Sequence, residues 1–183
     1  PVDPAGAGII ARPQFHAGAA VLARMDLSLD VWCFHSQLTE VIELADALPG
    51  LAIVLDHLGT PEDRGGQSRE VWVEAIAGLS ARPNVVIKLG GLGMDISRPM
   101  GGSRGADSAR LAEEWRPWIE TAIAAFTPER AMFESNFPPD RASGSYGATW
   151  NAMKLIASGY SESEKDQLFR RTAARVYRIA LED

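Results

Sequence analysis

Short hydrophobic runs alternate with amphipathic segments along the chain. The runs are rich in Val, Ile, Leu and aromatic residues, and each ends in polar residues or glycine, which is typical of β-strands. They are LDVWCF (29–34), LAIVLDH (51–57), NVVIKLGG (84–91) and RAMFESN (130–136). Because apolar residues fill most of their positions, the runs predict strands that are buried on both faces, as in a parallel sheet.

The segments between these runs have helical periodicity. After the first run, apolar residues recur at three- and four-residue spacing from Leu38 to Leu48, and Pro49-Gly50 ends the pattern. Similar patterns follow the other runs. The chain therefore repeats a strand–helix unit four times, which predicts either an open doubly wound sheet or part of a TIM-type (β/α)8 barrel. In both folds, ligands bind at the carboxyl ends of the strands.

Composition narrows the class of protein. The 183 residues suffice for one domain with a hydrophobic core, which we place at 1–183. The net charge of −6 offers no basic face for nucleic acid, and no apolar run reaches the ~20 residues that span a bilayer. The single cysteine, Cys33, excludes an internal disulfide and favours a reducing compartment, the cytoplasm. The opening PVDPAGAG lacks both an initiator Met and the pattern of a signal peptide, so we expect a processed chain or a fragment.

His57 closes the second predicted strand and is the first candidate for chemistry. An imidazole at the mouth of a strand can bind a metal, act as a base or polarise a carbonyl, although loop backbone can equally satisfy it. By strand alternation, we expect His57 to share a face with Ile53 and Leu55, opposite Val54 and Asp56.

Glu134 and Asn136 lie at the end of the last predicted strand and share a face with Met132. Glu134 can serve as a base or ligand, whereas the amide of Asn136 can orient a substrate or donate to an oxyanion. Both side chains can also merely cap neighbouring strand ends. Function is favoured for Glu134, because a buried glutamate is unfavourable unless it is paired.

Three further features lie within or next to predicted strands. His35 opens a helix where Ser36 is the expected cap, so a structural role is favoured over substrate contact. Lys88, inside the third run, is expected to pair with Glu134 on the next strand or to reach an anionic substrate. The LGGLG turn at 89–93 lacks the spacing of a nucleotide-binding loop, so its glycines allow a tight turn or a close approach.

The IVLDHLGTP and FESNFP blocks, in this order and spacing, resemble amidohydrolase-related TIM-barrel hydrolases. The branch with 2-pyrone-4,6-dicarboxylate lactonase and L-fuconolactonase is the most similar, and the likeness runs from about residue 15 to the final helix. It implies the last four βα units of a barrel. The family's His-x-His pair on the first strand has no match here, so we expect an amino-terminal half or a homo-oligomer to complete the barrel.

The resemblance also implies a reaction, the hydrolysis of a small carbonyl compound such as a lactone. His57 would contact the carbonyl, while Ser135-Asn136 stands where the family has Ser-Asp and an aspartate base. An amide has no useful basicity, so the carboxylate would come from Glu134 or Asp140. Asp140 is also a candidate for substrate binding. A divalent metal such as zinc is possible but not required, with His57 as the one strong ligand candidate. A decarboxylase of the same superfamily and a non-catalytic half-barrel module are the alternatives.

Overall fold

The computed structural model describes residues 8–61, 67–94 and 104–181. Four parallel strands form one sheet in the order β1-β2-β3-β4. They are β1 Ser28–Val31, β2 Ala52–Leu55, β3 Val85–Leu89 and β4 Ala131–Phe133. All the predicted strands are present, although each is shorter than its hydrophobic run. A doubly wound sheet reverses its strand order at a switch point, whereas this sequential order is that of a barrel segment.

Helices connect the strands and flank the sheet. They are α1 Pro13–Arg24, α2 Leu38–Ala47, α3 Gln67–Ser80, α4 Ser108–Phe126, α5 Tyr146–Ile156, α6 Glu162–Asp166 and α7 Thr172–Tyr177. A π-helical turn at Gln167–Arg171 joins the last two. None of the described helices is both long and apolar enough to cross a membrane.

Each face of the sheet has its own hydrophobic cluster. The outer face packs against the helices through strand residues such as Ile53, Leu55 and Ile87, which are fully buried. On the inner face, Val54, Val86 and Met132 form a second cluster. Side chains of the carboxyl-terminal helix cover this cluster, namely Ala173, Val176 and Tyr177. The sheet is therefore covered on both faces, as the apolar runs predicted.

The register of the sheet decides which residues meet at its carboxyl edge. Leu55 on β2 pairs with Ile87 on β3, and Ile87 pairs with Ala131 on β4. The loops that follow these strands therefore start side by side. Within the described residues, β1 and β4 each pair along one edge only, so the sheet has the two open edges of a partial barrel.

Candidate active site

One carboxylate oxygen holds His57 at two points. Oε1 of Glu134 lies 2.6 Å from Nδ1 of the His57 ring and also accepts the backbone N–H of His57 at 3.2 Å. Both side chains are mostly buried, with 13% of the His57 side chain and 16% of the Glu134 side chain exposed. Because Nδ1 faces the carboxylate, Nε2 is the ring nitrogen left for a substrate or water.

The surroundings of His57 raise its pKa above the ordinary value. Burial alone lowers the pKa, because it disfavours the charged imidazolium. The hydrogen bond to Glu134 and its charge, together with the charges of Asp56 and Asp140, outweigh burial. The pair with Glu134 therefore stabilises the protonated imidazolium of His57.

His57 also begins a left-handed turn, which the predicted strand alternation missed. The strand ends at Leu55, and four consecutive residues have positive φ, with values of 55° at His57, 56° at Leu58, 68° at Gly59 and 46° at Thr60. The expected shared face with Ile53 and Leu55 is therefore wrong, and the ring turns toward Glu134. Each non-glycine residue in this conformation costs about 1–2 kcal/mol, and such strain is typical of functional sites.

Two tryptophans hold this turn, and sequence reasoning identified neither. The indole N–H of Trp72 donates to the carbonyl of Leu58 at 2.8 Å, and that of Trp32 donates to Oγ1 of Thr60 at 3.0 Å. The Trp32 ring also lies edge-on to the His57 ring, with centroids 5.7 Å apart. The period-two pattern of β1 could have flagged Trp32, because it places Trp32 on the same face as Asp30.

The glycines of the 89–93 turn form the floor of the site. A β-carbon at Gly90 would stand 2.5 Å from Cγ of Glu134, and one at Gly91 would stand 2.5 Å from Cβ of His57. At Gly93 it would stand 2.8 Å from Cβ of Asp140. The glycines therefore allow these three side chains to lie close to the backbone of the turn. Gly91 also has a positive φ of 72°.

Asn136 and Asp140 form a second hydrogen-bonded pair beside the first. Nδ2 of Asn136 donates to Oδ1 of Asp140 at 2.6 Å, and the N–H of Gly93 donates to Oδ2 at 3.1 Å. Asp140 is 1% exposed, and burial raises its pKa to about 6 against the opposing effect of these hydrogen bonds. Asp140 therefore orients Asn136 and the turn, and direct substrate contact by Asp140 stays a prediction that this burial does not favour.

Lys88 does not pair with Glu134 as expected. Its Nζ lies 2.6 Å from Asp30 and 2.9 Å from Asp56, and the hydroxyl of Tyr177 donates to the same oxygen of Asp30 at 2.7 Å. The hydrogen bonds to these groups raise the pKa of Lys88 although burial alone would lower it. With its charge balanced by two carboxylates, Lys88 is a structural centre of the inner face, and its contact with substrate stays a prediction.

His35 stands apart from the two pairs. It opens a short 3-10 turn, His35–Gln37, and Oε1 of Gln37 rather than the expected Ser36 accepts a backbone N–H, that of Phe34. Nδ1 of His35 is buried without a hydrogen-bond partner among the described residues. A role in substrate binding stays a prediction.

Metal binding finds partial support in the side chains present. The described part of the chain holds no cluster of three or more His, Cys, Asp or Glu side chains placed to bind an ion. Nδ1 of His57 faces Glu134, so Nε2 is the atom of that ring left for a metal. These residues supply at most part of a ligand set, since catalytic zinc sites use three protein ligands.

Comparison with known proteins gives this site a family context. The amidohydrolase family model matches residues 2–179. An uncharacterized protein of Sinorhizobium fredii is 42% identical over 167 residues, which are 91% of this chain and 52% of that protein. An L-fucono-1,5-lactonase of Burkholderia multivorans is 32% identical over 171 residues, covering 91% of this chain and 56% of the lactonase.

Solved structures agree with these relatives. An amidohydrolase from Burkholderia multivorans with bound HEPES has a TM-score of 0.84 at 30% identity, covering 97% of this chain and 62% of that one. A second crystal form of an amidohydrolase from that organism contains bound zinc. A 2,6-dihydroxybenzoate decarboxylase has a TM-score of 0.54 at 13% identity, which shows a similar fold alone.

These matches confirm the resemblance seen in the sequence. The chain spans about half the length of the curated relatives that it matches, in agreement with a sheet that forms part of a barrel. The family model covers nearly the whole chain, and the chain therefore belongs to the amidohydrolase family.

Proposed function

We propose that the chain carries part of the catalytic centre of a hydrolase that opens a small lactone by water attack. The observation that carries the proposal is the 2.6 Å contact between Nδ1 of His57 and Oε1 of Glu134. A carboxylate in this position fixes the ring tautomer and stabilises the imidazolium that forms when Nε2 accepts a proton. The similarity to an L-fucono-1,5-lactonase at 32% identity supports a sugar-acid lactone as the substrate class.

His57 is the proposed base. Its Nε2 takes a proton from water while the water oxygen bonds to the lactone carbonyl carbon. The ring C–O bond then breaks, the imidazolium returns the proton to the leaving oxygen, and a hydroxy acid is released. The sequence suggested Glu134 or Asp140 as the base. Glu134 is hydrogen-bonded to His57, and Asp140 is buried. We therefore assign them supporting roles, in which Glu134 orients His57 and Asp140 orients Asn136.

Asn136 is the proposed water-orienting residue. Its Nδ2 donates to Asp140, which leaves Oδ1 to accept a hydrogen bond from the attacking water. Asp140 therefore supports the reaction by fixing the amide. This assignment accounts for an amide at the position where the family resemblance calls for an aspartate.

The remainder of the site is proposed to come from outside this chain. Both edges of the described sheet are open, and the chain covers 56% of the lactonase relative. An amino-terminal half that closes the barrel would add substrate contacts and, where zinc is used, the missing ligands. Zinc would polarise the carbonyl or activate water when bound. A second copy of the chain is the alternative way to close the barrel.

The test is a lactone-opening assay on the chain together with the half that completes its barrel, and on three variants of this assembly. We expect His57→Ala to abolish turnover of sugar-acid 1,5-lactones, and Glu134→Gln to lower it by roughly 10²–10⁴-fold, the range typical of general acid–base catalysis. His16→Ala, which removes a histidine from α1, is the matched control. Unchanged turnover in His57→Ala would refute the site. Release of CO2 from an aromatic carboxylic acid in place of lactone opening would favour the decarboxylase.

A further inference from the structure

We propose that Trp32 and Trp72 are positioning residues that clamp the left-handed turn at 57–60 and thereby hold His57 on Glu134. The inference builds on the proposed function, because the clamp matters for catalysis only if His57 is the working side chain. Neither tryptophan needs to touch the substrate. Each acts through a residue of the turn, Trp32 through Thr60 and Trp72 through Leu58.

Trp72 anchors the middle of the turn to the helical layer. It lies on α3, is 1% exposed, and its indole N–H donates a buried hydrogen bond to the Leu58 carbonyl at 2.8 Å. The Trp72 ring packs against Trp118 of α4 with centroids 5.0 Å apart in a T-shaped arrangement. The core therefore fixes the position of the Trp72 indole N–H. Because Leu58 is fully buried, its carbonyl has no access to water as an alternative hydrogen-bond donor.

Trp32 anchors the end of the turn from the neighbouring strand. It follows β1, and its indole N–H donates to Oγ1 of Thr60, which is fully buried. The backbone N–H of Thr60 donates to the carbonyl of His57 at 2.8 Å and closes the turn. A β-branched residue is poorly suited to positive φ, so this hydroxyl contact explains why threonine is held there.

The hydrogen bonds from Trp32 and Trp72 and the close contact with Gly91 together fix the position of the His57 ring. The site admits the His57 β-carbon only because Gly91 has none. If either anchor were lost, the turn would relax toward negative φ and withdraw the imidazole from Glu134. The tryptophans therefore determine the orientation of a side chain that neither of them bonds directly.

The test substitutes Thr60, because two replacements distinguish the effect of its hydroxyl from the effect of its branched shape. Thr60→Val keeps the branched shape without an acceptor, and Thr60→Ser restores the acceptor. We expect amide hydrogen exchange at residue 60 to be roughly three- to tenfold faster in Thr60→Val, as expected for one lost hydrogen bond. The imidazole N–H signal of His57 in ¹⁵N–¹H spectra should shift in Thr60→Val and return in Thr60→Ser.

Trp72→Phe tests the second anchor by removing the indole N–H while keeping an aromatic ring. The same two changes are expected, whereas Trp115→Phe, a substitution at a buried tryptophan of α4, should leave residue 60 and the His57 signal unchanged. The clamp is refuted if Thr60→Val and Thr60→Ser behave alike, or if Trp72→Phe gives the same hydrogen exchange and His57 signal as Trp115→Phe. The Thr60 comparison tests the Trp32 anchor whether or not Trp72→Phe folds. These readouts need no turnover, so a failed lactonase assay would overturn the proposed function and leave the clamp standing.

Discussion

Gly91 lies directly beneath His57, close enough that a β-carbon on the glycine would stand 2.6 Å from Cγ and 2.9 Å from Nδ1 of the imidazole ring. The imidazole therefore occupies space that a side chain at Gly91 would otherwise fill. Gly91 also has a φ of 72°, a conformation that other residues adopt with strain. Position 91 therefore requires glycine for two independent reasons, the space that His57 occupies and the positive φ.

Gly91→Ala should destabilise the protein and displace His57. We expect a loss of roughly 2–4 kcal/mol in the free energy of unfolding, because overpacking and positive φ add together. Urea unfolding measures the loss. Gly18→Ala is the control, since Gly18 lies in α1 and an added β-carbon there would enter open space. Alanine at this position should stabilise the helix by up to about 1 kcal/mol. Equal stability of the Gly91 variant and the parent would contradict the close approach.

Glu134→Gln should make the stability of the protein less dependent on pH. The pKa of His57 is raised in the folded state, so the pair contributes its full stability below the unfolded pKa of about 6.5 and loses it as the pH rises through the folded value. The variant should therefore lie about 1–2 kcal/mol below the parent at mildly acidic pH, with a gap that narrows at alkaline pH.

An NMR titration of the histidines should show the same change directly. The pKa of His57 should fall in Glu134→Gln, because a neutral glutamine stabilises the imidazolium less than a carboxylate does and burial continues to lower the pKa. The pH at which turnover rises should fall with it. Glu113→Gln is the control, since the Glu113 side chain is 72% exposed on α4. An unchanged His57 titration would show that Glu134 does not act on the ring.

The strands were predictable from sequence, but the partners within the site were only partly so. Strand character is local, and the hydrophobic runs located all four strands of the sheet. His57 and Glu134 were each chosen from a strand end, yet their contact joins residues 77 positions apart, and only the sheet register brings them together. The turn after β2 was missed because only Gly59 among its positive-φ residues is a glycine.

Lys88 shows the same limit on prediction. A lysine in a strand predicted an ion pair with Glu134 on the neighbouring strand, whereas one of its actual partners is Asp56 at the end of the other neighbouring strand. The other contacts come from Asp30, 58 positions away, and from Tyr177 in the last helix. No local pattern in the sequence indicates that α7 lies across the inner face.

Lys88→Met should destabilise the inner face by about 1–3 kcal/mol, since it leaves Asp30 and Asp56 facing each other without a cation. The loss is smaller than for a fully buried pair because 34% of the Asp30 side chain is exposed. Burial already raises the pKa of Asp56 and Lys88 opposes that rise, so the variant should become less stable as the pH increases. The double variant Lys88→Met/Asp56→Asn should recover part of the loss in urea unfolding. An increase in KM with no loss of stability would instead assign Lys88 to the substrate.

Asn136→Asp restores the residue that the family resemblance calls for, and the structure predicts that it will not act as a simple base. Nδ2 of Asn136 lies 2.6 Å from Oδ1 of Asp140, so an aspartate there would place two carboxyl groups in hydrogen-bonding contact. Like charges at this distance share a proton, and the pair titrates as a unit with one pKa strongly raised. The variant should therefore fold at mildly acidic pH and lose stability, by roughly 2 kcal/mol or more, as the pH rises past neutrality.

The exchange variant Asn136→Asp/Asp140→Asn tests whether this repulsion is the cause. It restores one amide and one carboxylate in contact, so its stability at alkaline pH should return toward that of the parent. Urea unfolding of the parent, the single variant and the double variant at two pH values measures this coupling. A single variant that is as stable as the parent at alkaline pH would show that the two side chains separate on ionisation. In that case an aspartate at position 136 would be able to act as a base. The amide of Asn136 would then not be needed for stability, and its role would lie in the reaction.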